Sequence, residues 1–316
     1  MSREYVEADI TLDERELVPG GRATVRIRTL ARAPVKIRGA HAAFRGFEET
    51  KAVYTTSDGK TTTTHTATER NVLVEERKTF QGRAPQGFFA NLADATMTVL
   101  GGGDHEELAQ GNHDVLLEVD LPADLPETFE GKKSKVVYEA EIHLDIPAGR
   151  DFRQRVTFPL EGEEIEGEID PEPLAIRYPE DQKKGFFDAL FGPDVAMRVD
   201  VEATRVRRGD TIRGELEVRF PDRPGRVRAV VCQLQRRERS EAQSHKDQHV
   251  AKLSREDYAQ RESTSNSLFV SFSVRVPDDA VRNTSGAKFT LTNELAVSLD
   301  VPWAKDPTIR IPITIV

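Results

Sequence analysis

The chain has 316 residues, a formal net charge of −9 at pH 7 and one cysteine, Cys232. A single cysteine excludes an internal disulfide framework and fits a reducing compartment. No apolar run reaches the ~20 residues that a membrane-crossing helix needs, and the charged start, Met-Ser-Arg-Glu-Tyr-Val-Glu, lacks the apolar stretch of a signal peptide. A soluble, cytoplasmic protein is expected. The charge is uneven: Val195 to Val316 holds 21 Lys+Arg against 17 Asp+Glu, and the remainder holds 24 against 37. The acidic part disfavours nucleic acid as a partner, because phosphate must be neutralised by a basic surface.

In chain order, Leu12 to Leu17 and Ala23 to Ile27 are strand candidates about the turn Val18-Pro19-Gly20-Gly21, and Val35 to Phe44 continues as a strand. Residues 51–70 are threonine-rich, with Asp58-Gly59 as a hairpin turn signal, and Val72 to Phe80 is a further strand. Residues 82–112 form a long excursion containing Gly87-Phe88-Phe89 and three successive glycines, 101–103. Val115, Leu117, Val119 and Leu121 then alternate with polar residues, as do Val136, Tyr138, Ala140, Ile142 and Leu144, and Val156 and Phe158 close the set. Period two is the strand signature, since successive side chains leave opposite faces of a sheet. Residues 161–194 read as an acidic linker in which Phe186, Phe187, Leu190 and Phe191 form one face of a short apolar segment. In the second half, Arg236 to Arg261 reads as a highly charged excursion.

An internal repeat orders these elements. An offset of 155 carries Val115–Pro122 onto Val270–Pro277, Gly131 onto Gly286, Lys133 onto Lys288, Leu144-Asp145 onto Leu299-Asp300 and Asp151 onto Asp306. Gly20 aligns with Gly209, and after a one-residue slip Phe44 aligns with Leu234 and Glu48 with Glu238. Asn293 stands where the first copy has Tyr138, so the inner face there is expected to be wetter or hydrogen-bonded. One apolar and one polar face per strand implies antiparallel sheets stacked as sandwiches. The domains expected are 1–160, an N-terminal sandwich; 161–194, the linker; and 195–316, a C-terminal sandwich.

Two related sandwiches in tandem, each opening with a strand–Gly–strand unit (Val18-Pro19-Gly20-Gly21; Arg207-Arg208-Gly209-Asp210), resemble the arrestin fold. The segment Leu121–Gly131 followed by Val136–Leu144 is especially similar to the arrestin N-terminal domain. In size and lack of decoration the chain resembles the prokaryotic sporulation-control members of that group. The resemblance implies an all-β protein of two immunoglobulin-like sandwiches in an arrestin-like arrangement. It also implies a non-catalytic adaptor or scaffold that binds other proteins, with no catalytic residue and no cofactor to carry over. The chain has no Pro-Pro-x-Tyr segment for recruiting ubiquitin ligases.

His245 and His249 have a zinc-binding spacing if helical, yet their polar surroundings read as a solvated loop. Asp104, His105, Glu106, Glu107 and His113 cluster after the glycines, where a polar turn explains them equally well. Cys232 lies in a strand pattern and reads as a structural thiol. No Gly-x-Ser-x-Gly motif or phosphate loop is present. The partner-binding candidates are therefore Thr55, Thr62 and Thr64 on a strand edge, Phe88 and Phe89, the segment Phe186, Phe187, Leu190 and Phe191, and the basic run Arg205, Arg207 and Arg208. Beside the adaptor stand two alternatives. One is a peripheral regulator inserting the 186–191 segment at an anionic membrane surface, and the other is a hydrolase or sugar-binding module on the same scaffold.

Overall fold

The computed structural model describes residues 5–82, 106–147, 150–162, 169–178, 195–220, 227–259, 266–301 and 306–316, and these contain strands and no helix. By contacts the chain divides into two units. The first comprises residues 1–49, 69–130 and 135–163, and the second 50–68, 131–134 and 164–316.

The strands in chain order are β1 (Val6–Leu12), β2 (Arg22–Ala31), β3 (Val35–Ile37), β4 (Gly39–Ser57), β5 (Thr62–Gly82), β6 (Glu106–Leu108), β7 (Gly111–Asp120), β8 (Phe129–Glu130), β9 (Ser134–Asp145) and β10 (Phe152–Phe158). They continue as β11 (Leu174–Tyr178), β12 (Ala196–Val201), β13 (Arg205–Val206), β14 (Thr211–Arg219), β15 (Ala229–Ala242), β16 (His245–Ala259), β17 (Ser267–Arg275), β18 (Thr284–Ser285), β19 (Phe289–Asp300) and β20 (Thr308–Ile315). One sheet orders β1-β2-β7 and another β10-β9-β4-β5, with β8 on β9 and a small β3-β6 pair beside them. The later strands form a sheet β11-β12-β14-β17 and a sheet β13-β20-β19-β15-β16, with β18 on β19.

The alternation in the sequence is the burial pattern. Val115, Leu117 and Val119 are buried on β7, and Val136, Tyr138, Ala140, Ile142 and Leu144 are all fully buried on β9. In the second unit, Val199, Leu216 and Val274 of one sheet share a core with Cys232, Leu234, Leu295, Val297, Ile311 and Ile313 of the other. Each fully buried Leu or Ile contributes about 1.5–3 kcal/mol relative to exposure. This core is why Cys232 is inert: burial first, then nearby Asp257 and Glu256, push its thiol up to about 12.

The repeat extends to individual hydrogen bonds. Arg38 N donates to Asp145 O and Arg228 N to Asp300 O. The Ile146 and Val301 amides donate to the Asp151 and Asp306 carboxylates. Gly131 N donates to Ser134 O and Gly286 N to Phe289 O, while Lys51 N donates to Lys133 O and Glu241 N to Lys288 O. Gly20 (φ +76°) and Gly209 (φ +81°) both hold the left-handed conformation that a side chain disfavours. Tyr138 and Asn293 do the same task with different chemistry. The Tyr138 hydroxyl donates to Pro126 O at 2.7 Å, and Asn293 Nδ2 donates to Val281 O at 3.0 Å, twelve residues upstream in each case. The expected hydrogen-bonded inner face is thus present, and Asn293 Nδ2 also reaches Asn283 Oδ1. The volumes are exchanged across the ladder. Tyr138 lies over Gly46, where an added Cβ would stand 2.5 Å from the ring, whereas Asn293 is paired with Arg236 on β15, the Gly46 counterpart in the repeat.

Three expectations are corrected. The first strand is Val6–Leu12, and the chain bends after Leu12 because the Glu14 carboxylate takes the Thr24 amide. Residues 62–82 are one strand, not a threonine-rich arm followed by another. The supposed excursion from Arg236 is a hairpin, β15 and β16 paired from Ala229↔Ala259 to Ala242↔His245 with one bulge at Leu234/Gln235. Its charges run in succession, Arg236 to Arg239 on β15 and Arg255 to Asp257 on β16, on strands in which only Glu238 of these is buried. Within residues 161–194, Leu174–Tyr178 is a strand paired with β12.

Gly46→Ala is expected to destabilise the protein by about 2 kcal/mol or more through overpacking against Tyr138. Tyr138→Phe is expected to cost about 1 kcal/mol by leaving the Pro126 carbonyl without its donor. Chemical denaturation of each variant measures both.

Candidate functional site

A dense polar construction in the second unit joins residues 50–68 and 131–134 to the β15–β16 hairpin. Small residues let the backbones approach, as Ala52, Ala67 and Ala242 form a buried cluster against Tyr54. Tyr54 is stacked on His245 (centroids 3.6 Å apart, planes within 3°) and packs on its other neighbour, His65, at 5.2 Å. Thr50 Oγ1 donates to Glu241 O at 2.7 Å and Ser240 Oγ to Lys51 O at 2.7 Å. Gln243 Nε2 donates to Thr68 O at 3.3 Å.

Two carboxylates fix the 131–134 loop. Glu238, 2% exposed, accepts the amides of Lys132 (3.1 Å), Lys133 (2.9 Å) and Ser134 (2.5 Å), and the Ser134 hydroxyl at 2.6 Å. A buried carboxylate is tolerable only when its oxygens are satisfied in this way. A side chain at position 131 would push the Glu238 carboxylate out of these bonds, since its Cβ would overlap Glu238 Oε1. Asp247 accepts the Val53 amide at 2.9 Å and the Lys133 ammonium. Burial works to raise the Asp247 pKa. The Lys133 ammonium and the Val53 and Gln248 amides outweigh it and hold the carboxyl below its ordinary range.

Beside this lies an open cleft of ≈ 560 Å³ lined by Arg239, Glu241, Lys246, Gln248, Lys288 and Thr290 among others. Glu241 is shared by Lys288 at 3.4 Å and Lys246 at 3.7 Å. The cleft offers hydrogen-bonding and charged groups, and among the described residues no group of three His, Cys, Asp or Glu is placed to hold a metal ion. His245 and His249 stand on a strand, not a helix, so four residues separate them by ~13 Å.

The sequence candidates are placed as follows. Thr55, Thr62 and Thr64 are exposed at the end of the β4–β5 hairpin, whose turn is held by Asp58 accepting the Lys60 and Thr61 amides, with Gly59 at φ +86°. Arg205, Arg207 and Arg208 are half-buried on and after β13, where Arg208 Nε donates to Ala280 O. The threonines and the arginines thus lie on separate elements. Phe88, Phe89, Phe186, Phe187, Leu190 and Phe191 lie outside the described residues, as do Asp104 and His105. Sequence reasoning missed Glu238 as a structural centre, and its only sign was alignment with Glu48, which is also fully buried.

Glu238→Ala leaves three amides, that of Ser134 buried, without their acceptor and is expected to cost about 3 kcal/mol, with Glu238→Gln costing less. Asp247 has a depressed folded pKa. Its stabilisation is therefore present above the ordinary Asp range of about 4 and is lost as pH falls through the depressed value. Lys133→Met should accordingly destabilise the protein more at pH 7 than at pH 3, as read from denaturation midpoints. An equal loss at both pH values would contradict the pairing.

Residues 45–160 match the family model described as Arrestin (or S-antigen), N-terminal domain. No curated protein matches the chain. The matched stretch runs from within β4 to just past β10, the stretch that carries the Tyr138 anchor and the 131–134 loop. Domains of this kind are typically non-enzymatic and bind protein partners. The match and the tandem sandwiches together support an arrestin-like fold family for this chain.

Proposed function

We propose that the protein is a regulatory adaptor of the sporulation-control type, acting in the cytoplasm by binding another protein without catalysis. The observation that carries this reading is the arrestin N-terminal-domain match over residues 45–160. The β4–β5 hairpin supports a place for the partner. Its threonines at 55, 62 and 64 are exposed, and β5 ends its sheet among the described residues, so it presents backbone groups for strand addition. The hairpin is also presented rigidly, because the Tyr54–His245 stack and the Val53–Asp247 bond hold its base. A fixed strand loses little entropy on pairing with an extended segment.

The test is quantitative affinity capture from the native cytoplasm with the intact chain and with a Thr62→Asp/Thr64→Asp variant. A discrete protein enriched by the intact chain is expected to fall at least about fivefold with the variant, a loss of about 1 kcal/mol in binding. Undiminished recovery by the variant would remove the hairpin as the dock, and a chain that captures no protein would sink the adaptor reading.

A further inference from the structure

β7 and β17 occupy matching places in the repeat, and each is the last strand of its sheet among the described residues. Edge strands present unpaired N–H and C=O groups, and proteins blunt them with charges or cover them. On β7 this is done: Asp114 is exposed in the middle of the strand, and Lys78 Nζ reaches the outward carbonyl of Leu116. Other terminal strands also carry charges, Glu7 and Asp9 on β1 and Arg153 and Arg155 on β10.

β17 is guarded over half its length only. The Tyr258 hydroxyl bonds both the carbonyl and the amide of Ser273, and Ser254 Oγ donates to Arg275 O. These bonds identify the outward-facing residues. β17 pairs with β14 without a register shift, so the parity that turns the Ser273 groups outward also turns out those of Phe269 and Ser271. In the repeat these two correspond to Asp114 and Leu116. Where β7 has a carboxylate, β17 has Phe269, 70% exposed and the most exposed large hydrophobic residue among the described residues.

We propose that the Phe269–Ser271 edge of β17 is a homodimer contact, in which the strands of two copies pair antiparallel about a two-fold axis beside Phe269. The occupant follows from charge. Two-fold antiparallel pairing sets a stretch against itself, so any charge near the axis meets its like. Ser267 to Ser273 reads Ser-Leu-Phe-Val-Ser-Phe-Ser, with no charge to repel and the exposed Ser271 beside the aromatic ring. Self-pairing satisfies the outward amides and carbonyls and removes both Phe269 side chains from water. The Tyr258 cap on Ser273 limits the ladder, so the contact is short and its strength falls on Phe269.

Sedimentation velocity of the full chain tests this, with wild type, Phe269→Asp (the residue β7 carries at this place), Ser271→Pro and Leu116→Asp. Ser271→Pro removes an amide that points out of the sheet, a position where proline is tolerated on an edge strand. Circular dichroism establishes that each variant is folded, and Ser271→Pro decides should Phe269→Asp fail to fold. Wild type and Leu116→Asp are expected to dimerise, with the dissociation constant raised at least about tenfold in the other two. A wild type that stays monomeric at ~100 μM, a dimer that survives both β17 variants, or a dimer lost with Leu116→Asp would each overturn the proposal.

Discussion

Glu238 brings a fully ionisable side chain into a site where water has almost no access, and three successive amides and a hydroxyl close around it. The arrangement explains several residues at once. Glycine at position 131 leaves room for the carboxylate, which a side chain there would displace. Ser134 must donate through both its amide and its hydroxyl. Lys133, once its amide is committed, extends its ammonium to Asp247, which in turn holds the Val53 amide. One carboxylate therefore fixes a loop, the loop positions a lysine, and the lysine completes a hold on the strand that leads to the exposed threonine hairpin. Buried charges are weak evidence for net stability, since desolvation offsets much of their attraction. Their sharper effect is on uniqueness: a one-residue slip of β15 in either direction would put an arginine, Arg237 or Arg239, opposite these amides.

The two repeats show how a shared scaffold tolerates divergence. Tyr138 with Gly46 and Asn293 with Arg236 are two solutions to one geometric problem, anchoring the upstream crossing segment by a donor from a buried strand. In the first the large residue is on β9 and its neighbour has no side chain. In the second the buried residue is small and the large one lies on β15. The backbone bonds around them are conserved between the repeats while the side chains are not, as expected when hydrogen-bond satisfaction constrains a buried position more tightly than shape.

Much of the fold was legible in the sequence because sheets write themselves in period two. Val115–Leu121 and Val136–Leu144 announce both their strands and their buried faces, and the offset of 155 finds their counterparts. The candidate site was far less legible. Its central loop works through backbone amides, which every residue type possesses, so Lys132-Lys133-Ser134 carries no sign of its role. The β15–β16 hairpin reads as a charged excursion because its sequence is densely charged and its turn, Gln243-Ser244, lacks the usual Asn-Gly signal. The exposed threonines were readable, since Asp58-Gly59 marks the turn that carries them outward.

That Gln243-Ser244 turn has a kinetic side. Both residues hold positive φ, 49° and 67°, a conformation costly without glycine, so the turn contributes little to its own formation. A hairpin with a reluctant turn does not nucleate locally. β15 and β16 must be brought together by what they meet elsewhere, β19 along one side and residues 50–68 at the tip, which lie far away in the chain. Contacts of long sequence separation are slow to form, because loop closure must precede any gain from them. The tip of this hairpin is therefore among the last parts of the second unit to become ordered during folding, and among the first to be released when the chain begins to open.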